Sequence, residues 1–146
     1  MKKLVKKTKD VLEAHSVLFC DLDGTLITTK SGNTFPVDKN DWIIKRDVFD
    51  AIIKYNPKYL FIVTNQGGIE KGTVNPSEFL EKLRTIEDLI RKDCEVPFVD
   101  SIYCPSNDPK NPNRKPNAGI IEDIRYLYSF NNHQAPMICD ASGKEG

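Results

Sequence analysis

The sequence lacks any long hydrophobic run, and its longest apolar stretches are short ones such as Val17–Cys20 and residues 60–63. A membrane-spanning helix needs about 20 mostly apolar residues, so the sequence predicts no membrane span and no membrane partner. The lysine-rich start is not followed by an apolar segment, because Asp21 and Asp23 interrupt the stretch that opens at Val17. This pattern argues against a secretory signal, and we expect an intracellular protein, cytoplasmic or nuclear.

Cysteine is also scarce, and charge of either sign is not in excess. With no export signal, the 4 cysteines (Cys20, Cys94, Cys104 and Cys139) are expected to be reduced thiols and not a disulfide framework. The 21 Lys+Arg balance the 21 Asp+Glu, which argues against a protein that grips nucleic acid by bulk electrostatics. Lysines are concentrated at the start, so residues 1–15 are expected to form a solvated N-terminal arm and residues 16–146 a single domain.

What the sequence does contain is an alternation of short apolar runs with helical patterns, which is typical of an α/β fold with a mainly parallel central sheet. Strands are predicted at residues 17–20, 59–63, 98–103 and 136–139. Helices are predicted near residues 47–55, with Val48, Ile52 and Tyr55 inward, from Pro76 behind an Asn75 cap, and from about Asn117. The inward stripe of the second helix comprises Phe79, Leu80, Leu83, Ile86 and Ile90, and that of the third Ile120, Ile121, Ile124, Leu127 and Tyr128.

Polar residues follow each predicted strand, at the edge where open α/β sheets form their sites. Asp21 and Asp23 follow the first strand, Thr64 the second, and Asp140 the fourth, while Lys115 precedes the third helix. Residues i and i+2 of an extended chain point the same way, so the first two carboxylates are expected to share one face. Two crowded carboxylates repel each other unless a divalent cation binds between them or one of them is protonated and acts as the acid while the other acts as the base. Ligand sets made of oxygen atoms suit Mg²⁺.

This constellation resembles the haloacid dehalogenase superfamily of phosphotransferases, whose motifs occur in this order. The segment from Asp21-Leu22-Asp23-Gly24-Thr25 to Gly32, followed by Phe35-Pro36 and Asp41-Trp42, is similar to the 3′-phosphatase domain of polynucleotide kinase 3′-phosphatase. Thr64-Asn65-Gln66, Val96-Pro97-Phe98, Arg114-Lys115-Pro116 and Asp140-Ala141-Ser142-Gly143 extend the similarity over nearly the whole chain outside the arm. The resemblance implies a Rossmann-like three-layer α/β sandwich without a large cap.

The resemblance also implies a mechanism. Asp21 would be the nucleophile that forms an aspartyl-phosphate, and Asp23 the acid and base. Thr64 and Lys115 would stabilise the phosphoryl oxygens. Mg²⁺ would be held by Asp21, the backbone carbonyl of Asp23 and Asp140.

The resemblance implies a nucleic-acid 3′-phosphate, on DNA above all, as the substrate, and a site without a cap suits such a polymer end. The loop from Thr28 to Trp42 would form a wall of the site, with Trp42 and Phe35 as candidates for base stacking. The other candidate substrate-binding residues are Thr25, Asn65, Lys30, Arg46 and Lys71. For Trp42 and Phe35, anchoring of the loop in the core is an alternative role.

Three alternatives remain open at this stage. The histidinol-phosphate and heptose-bisphosphate branch of the superfamily carries a zinc loop opening Cys-Pro-His, but here Ser106 follows Cys104-Pro105 and no second cysteine occurs before Lys115. A receiver domain is disfavoured because its phosphorylated Asp follows the third strand. A non-catalytic fragment that binds nucleic-acid ends is compatible with a chain expected to lack the C-terminal elements of the family, since it stops six residues after Asp140.

No Gly-x-x-x-x-Gly-Lys-Ser/Thr loop occurs, so a 5′-kinase activity would need a separate kinase, as joining would need a separate ligase.

Overall fold

The computed structural model describes residues 17–115, Gly119, Glu122 and a short strand at Met137–Ile138. The lysine-rich arm, Cys139, Asp140 and the predicted inward face of the third helix lie outside the described residues. Gly119 and Glu122 are helical, at positions that belong to that third predicted helix.

A four-stranded parallel sheet forms the centre of the molecule. In chain order its strands are β1 (Val17–Cys20), β4 (Tyr59–Asn65), β5 (Phe98–Cys104) and β6 (Met137–Ile138), and their spatial order is β5-β4-β1-β6. The register pairs Val17 with Tyr59 and Tyr59 with Phe98, so the three longest strands begin level with one another. Their carboxyl ends therefore meet at one edge, as the sequence predicted for an α/β fold.

Two short strands outside this sheet were not predicted. They are β2 (Ile27–Thr28) and β3 (Ile43–Ile44), which pair antiparallel and bring together the two ends of the stretch that the sequence marks as one long irregular loop. Only the two residues of each strand pair, which is too short a pattern for hydrophobic alternation to reveal.

Three helices complete the described architecture. They are α1 (Arg46–Tyr55), α2 (Gly67–Lys71) and α3 (Pro76–Asp93). The predicted cap of α3 is confirmed, because the Asn75 side chain accepts a hydrogen bond from the Glu78 amide. The five-residue α2 was not predicted, since a single turn and a half carries no periodic signal.

The core lies between the sheet and the inner faces of α1 and α3. Leu18, Cys20, Leu60 and Ile62 point from the sheet toward Phe49 and Ile52 of α1 and toward the α3 residues Phe79, Leu83, Ile86 and Ile90. The predicted face of α1 was partly wrong: Phe49 is buried beside Ile52, whereas Val48 is half-buried and Tyr55 exposed. Phe49 lies three residues before Ile52 and Val48 four, and both spacings are close to one helical turn, so periodicity alone cannot choose between these faces.

Glu87 is a buried charge that the sequence pattern did not indicate. Its carboxylate accepts hydrogen bonds from Arg84 on α3 and from the Ser101 hydroxyl of β5. A buried carboxylate needs such partners. The hydrogen bond from Ser101 also connects α3 to the sheet. Cys20, Cys94 and Cys104 are buried free thiols, as predicted. Among the described residues, no helix combines the length and the apolar character that crossing a bilayer would require.

Candidate active site

The first carboxylate of the candidate site stands directly after β1. Asp21 is 1% exposed, and its Oδ1 accepts a hydrogen bond of 2.7 Å from the amide of Leu22. The chain then turns tightly, since the amides of Thr25, Leu26 and Ile27 all donate to the carbonyl of Leu22. Gly24 adopts a φ of 78°, a left-handed conformation that favours glycine and lets the chain reverse immediately after Asp23.

Lys115 is brought to this carboxylate from far along the chain. Its Nζ lies 2.9 Å from Asp21 Oδ1 and donates a second hydrogen bond of 2.8 Å to the carbonyl of Val63. Both side chains of the ion pair are buried, where a charge pair interacts far more strongly than in water. The structure thus joins the residue after β1 to a residue that the sequence could only place before the third predicted helix.

Asn65 sets the position of Lys115. The Oδ1 of Asn65 accepts from the backbone amide of Lys115 at 2.9 Å, and its Nδ2 donates to the backbone carbonyl of Lys115 at 3.1 Å. Asn65 was predicted to bind substrate, but the structure shows both ends of its amide engaged with Lys115. We therefore treat Asn65 as a clamp that links the end of β4 to the loop carrying the ammonium group.

Asp23 and Thr64 lie on either side of the Gln66 side chain. Thr64 is buried in β4. One of the two terminal atoms of the Gln66 side-chain amide lies 2.9 Å from Thr64 Oγ1 and 3.0 Å from Asp23 Oδ2. Burial raises the pKa of Asp23 above its ordinary value, while the positive charges of Lys82 and Lys115 oppose that rise. A carboxyl group with a raised pKa is suited to donate a proton near neutral pH.

Lys82 is a cation of the site that the sequence analysis missed. It projects from the second turn of α3, with its Nζ 5.8 Å from the centre of the Phe79 ring, and Phe79 packs edge-on against Tyr103. Tyr103 pairs in register with Thr64, which places Lys82 above the carboxyl ends of β4 and β5. Its positive charge, like that of Lys115, opposes the rise in the pKa of Asp23. In the sequence, a lysine of an amphipathic helix that faces an active site looks the same as a lysine that faces solvent.

The carboxylate of Asp41 connects distant parts of the loop between β2 and β3. Asp41 is buried and accepts hydrogen bonds from the amide and hydroxyl of Ser31 and from the amide of Val37. These bonds, that of the Ser31 hydroxyl first, hold the pKa of Asp41 below its usual value. Phe35 lies within the loop closed by these bonds and is 79% exposed, whereas Trp42 packs against the core. The structure therefore favours the anchoring role for Trp42 and leaves Phe35 available for stacking.

The remaining predicted substrate-binding residues differ in their surroundings. Lys30 is exposed at the start of the loop, and Lys71 is exposed at the end of α2. Arg46 is paired with Asp50 on α1 and lies over the Phe49 ring. The neighbouring Lys45, which was not predicted, is the side chain that reaches the Gly24 carbonyl, at 3.4 Å.

Thr25 is buried in the turn after Asp23. Its Oγ1 has no hydrogen-bond partner among the described residues. A buried hydroxyl in that state is still able to donate to a bound oxygen atom.

The oxygen atoms after β1 fit a hard cation. The buried carboxylate of Asp21 and the backbone carbonyl of Asp23 are the donor types that Mg²⁺ prefers, and Mg²⁺ keeps several water ligands, so that few protein donors suffice. Asp140, the third predicted ligand, lies outside the described residues. Within residues 17–115 no cluster of three or more His, Cys, Asp or Glu side chains is placed to bind a metal. Of the described residues, the Asp21 carboxylate and the Asp23 carbonyl are those that would hold Mg²⁺.

Solved structures share this fold. A HAD-like phosphatase of Mesorhizobium loti superposes with a TM-score of 0.70 at 24% identity, over 91% of this chain and 67% of that one. The D,D-heptose 1,7-bisphosphate phosphatase of B. bronchiseptica, solved with magnesium and phosphate, gives a TM-score of 0.62 at 20% identity, over 78% and 64%. The fold is therefore that of a HAD-like phosphatase.

Curated relatives extend the likeness to sequence. An uncharacterized 20.8 kDa protein from the FGF-VUBI intergenic region of Autographa californica nuclear polyhedrosis virus is 31% identical over 126 residues, covering 85% of this chain and 65% of its own. The histidine biosynthesis bifunctional protein HisB of Buchnera aphidicola is 32% identical over 120 residues, which are 75% of this chain and 31% of that protein. The chain thus spans less than two thirds of the length of either relative.

A protein-family model matches a range of this chain that includes both carboxylates after β1, the Thr64-Asn65-Gln66 segment and Lys115. That family model, Polynucleotide kinase 3 phosphatase, matches residues 16–145. Together with the buried Asp21–Lys115 pair and the HAD-like fold, it shows that this chain belongs to the Polynucleotide kinase 3 phosphatase family.

Proposed function

We propose that this protein is an Mg²⁺-dependent phosphomonoesterase that removes the 3′-phosphate from nucleic-acid ends, DNA above all, through an aspartyl-phosphate intermediate. The observation that carries the proposal is a buried ion pair of 2.9 Å between Asp21 and Lys115 beside the half-buried Asp23, a carboxyl group of raised pKa. Such a pair of unlike carboxylates provides a nucleophile and a proton donor in one site.

In the first step, an oxygen of Asp21 attacks the phosphorus, and the bond between phosphorus and the 3′-oxygen breaks. Asp23 gives its proton to the departing 3′-oxygen, so that a hydroxyl group leaves. Lys115, held by the Val63 carbonyl and the Asn65 clamp, stabilises the negative charge on the phosphoryl oxygens. The Thr64 hydroxyl donates to one of those oxygens.

In the second step, water attacks the phosphorus of the aspartyl-phosphate while Asp23 accepts its proton. The bond between Asp21 and phosphorus breaks, which releases inorganic phosphate and restores both carboxyl groups. Mg²⁺ held by the Asp21 carboxylate and the Asp23 carbonyl would reduce the repulsion between the attacking carboxylate and the phosphate.

The preference for a polymer end rests on the loop between β2 and β3. It presents Phe35 and Lys30 to solvent, on a loop that the Asp41 hydrogen bonds hold in shape. Base stacking on such an aromatic ring contributes about 1–3 kcal/mol, and lysines balance backbone phosphates. Lys82, which faces the site from α3, would provide a further cation for the substrate phosphate.

The decisive experiment measures phosphate release, with and without Mg²⁺, from an oligonucleotide with a 3′-phosphate, one with a 5′-phosphate, and an aryl phosphate. We expect the 3′-phosphorylated oligonucleotide to be preferred. Asp21→Asn should abolish release from all three, whereas Asp50→Asn, which alters an exposed carboxylate of α1, should not. Activity confined to small esters would refute the nucleic-acid substrate, and release by Asp21→Asn would refute the nucleophile.

A second variant tests the loop. Phe35→Ala should raise KM for the 3′-phosphorylated oligonucleotide by about tenfold, the equivalent of 1.4 kcal/mol, and leave KM for the aryl phosphate unchanged. Ile53→Ala, at an exposed apolar position of α1, is the control. An equal change for both substrates would show that Phe35 does not bind the nucleic acid.

The second candidate is a phosphatase of small sugar phosphates or of histidinol phosphate. It is favoured by the identities to HisB and to a D-glycero-D-manno-heptose-1,7-bisphosphate 7-phosphatase of Thermoplasma volcanium, 27% identical over 133 residues. Against it, Ser106 stands where that branch carries its zinc-binding His, and Cys104 is a buried thiol at the end of β5. The same three-substrate assay, with heptose bisphosphate and histidinol phosphate added, separates the two candidates.

A further inference from the structure

Gln66 lies at the centre of the candidate active site and has no role in the chemistry described above. It follows β4 directly, its backbone amide donates to the Cys104 carbonyl at 2.8 Å, and its side chain is buried. One terminal atom of that side-chain amide, either its oxygen or its nitrogen, has three close neighbours. They are Thr64 Oγ1 at 2.9 Å, Asp23 Oδ2 at 3.0 Å and the Asn65 carbonyl oxygen at 3.0 Å.

The chemistry of these neighbours decides which end of the amide faces them. The Asn65 carbonyl can only accept a hydrogen bond, so an amide oxygen placed 3.0 Å from it would set two acceptors against each other. An amide nitrogen carries two protons, which it can donate to that carbonyl and to the carboxylate, so that neither acceptor faces a second acceptor. The Gln66 NH₂ group therefore faces Asp23, Asn65 and Thr64.

This orientation has a consequence for Thr64. An amide nitrogen accepts no hydrogen bond, so the Thr64 hydroxyl does not spend its only proton on Gln66. The other neighbour of that hydroxyl is the Asn65 carbonyl at 3.4 Å, which is long for a bond between oxygens. The proton of Thr64 therefore remains available for a phosphoryl oxygen.

The same orientation restrains Asp23. A hydrogen bond from Gln66 to Oδ2 fixes the rotation of the carboxyl group and leaves Oδ1 as the oxygen that serves the leaving group. Catalytic groups need their rotamers held by such surrounding contacts. One amide thus orders both the proton donor and the phosphate-binding hydroxyl.

We propose that Gln66 is a positioning residue whose side-chain NH₂ group orients the Asp23 carboxyl group and keeps the Thr64 hydroxyl proton for the substrate. The proposal rests on the proposed phosphatase activity but not on the nucleic-acid specificity, so an aryl phosphate serves as substrate. A purely structural Gln66 would tolerate Gln66→Met, which keeps the length and much of the volume of the side chain.

The kinetic test is a double-mutant cycle. Gln66→Met should lower kcat by about 10- to 100-fold, the usual effect of removing a group that orients a catalytic residue, with a smaller change in KM. In an Asp23→Asn or a Thr64→Val background, the same substitution should cost much less than it does in the wild type. Thr85→Met, at an exposed position of α3, is the control for the introduced methionine. Unchanged kcat in Gln66→Met, or full additivity in both cycles, would overturn the proposal.

A spectroscopic test in the metal-free protein does not depend on activity. The two side-chain NH₂ proton signals of Gln66 should shift when Asp23 is replaced by alanine and should not shift in Asp50→Ala. Unmoved Gln66 signals in Asp23→Ala would show that the hydrogen bond is absent. If the wild type cleaves no phosphate ester, the proposed function fails, and this measurement still decides the orientation of Gln66.

Discussion

Asn65 connects the two halves of the candidate site, and replacing it with alanine should separate stability from catalysis in a measurable way. The side chain is buried and forms hydrogen bonds of 2.9 and 3.1 Å with the backbone amide and carbonyl of Lys115. Asn65→Ala removes both bonds. The backbone of Lys115 is then no longer tied to β4, while its Nζ still has Asp21 and Val63 as partners.

The size of the effect follows from these contacts. A buried polar group that loses its partner costs about 1–3 kcal/mol, and Asn65→Ala leaves two such groups. Water entering the gap recovers part of this, so we expect a loss of about 2–4 kcal/mol in the free energy of unfolding. Domains of this size have about 5–15 kcal/mol, so the variant should still fold. Lys115 is proposed to stabilise transition-state charge, so a loop that no longer holds its backbone in place should also lower kcat by about 100-fold.

Urea unfolding measures the first quantity and aryl phosphate turnover the second. The midpoint should fall while the m-value stays constant, as it does when only the folded state is altered. Asn40→Ala, at an exposed position of the loop, should change neither quantity. A destabilised Asn65→Ala protein with wild-type kcat would show that the clamp does not position Lys115, and an unchanged midpoint would show that the two hydrogen bonds contribute nothing.

Three further predictions follow from the titrating groups. Because burial raises the pKa of Asp23, its ionised form opposes folding. The metal-free wild type should therefore lose stability relative to Asp23→Asn as the pH rises from the ordinary carboxyl pKa through the raised one. Melting temperatures of the two proteins that change in parallel across that pH range would contradict this. The pKa of Asp41 is lowered, so its contribution to the stability of the loop is present above the ordinary carboxyl pKa and is lost as the pH falls through the lowered one. Amide hydrogen exchange at Ser31 and Val37 should then accelerate relative to that of the α3 amides. Equal changes in exchange at the loop and α3 amides would refute the role of Asp41 in the loop. Burial raises the pKa of Cys94 to about 11, so this thiol should resist alkylation at pH 8 until urea unfolds the chain, and rapid labelling of the folded protein would show the assignment to be wrong.

The positions of the four sheet strands along the chain, and the residues that follow them, were predictable from the sequence. Four apolar runs, each followed by polar residues, place Asp21 and Thr64 at one edge of a parallel sheet, and the described strands confirm the positions of the runs. The cap of α3 was equally predictable, because Asn75 and Pro76 act through bonds within a single turn. Both features depend on interactions between near neighbours along the chain or on a regular period.

The role of Asn65 was not predictable, because its partner is 50 residues away along the chain. The charge of Lys82 on Asp23 also acts across the fold, between a helix and a turn that no periodicity relates. For Phe35 and Trp42 the sequence left stacking and anchoring open for both, and burial distinguished them.

The sequence by itself determined the chemical types at the site: two carboxylates and a hydroxyl that follow apolar runs, and an ammonium group that precedes the third predicted helix. Only the tertiary structure decided their relations, with Asp21 paired to Lys115, Asp23 and Thr64 joined by Gln66, and Lys115 clamped by Asn65. The physical reason is that strand and helix patterns are local, whereas hydrogen bonds, burial and the resulting pKa of Asp23 arise only when distant segments pack together.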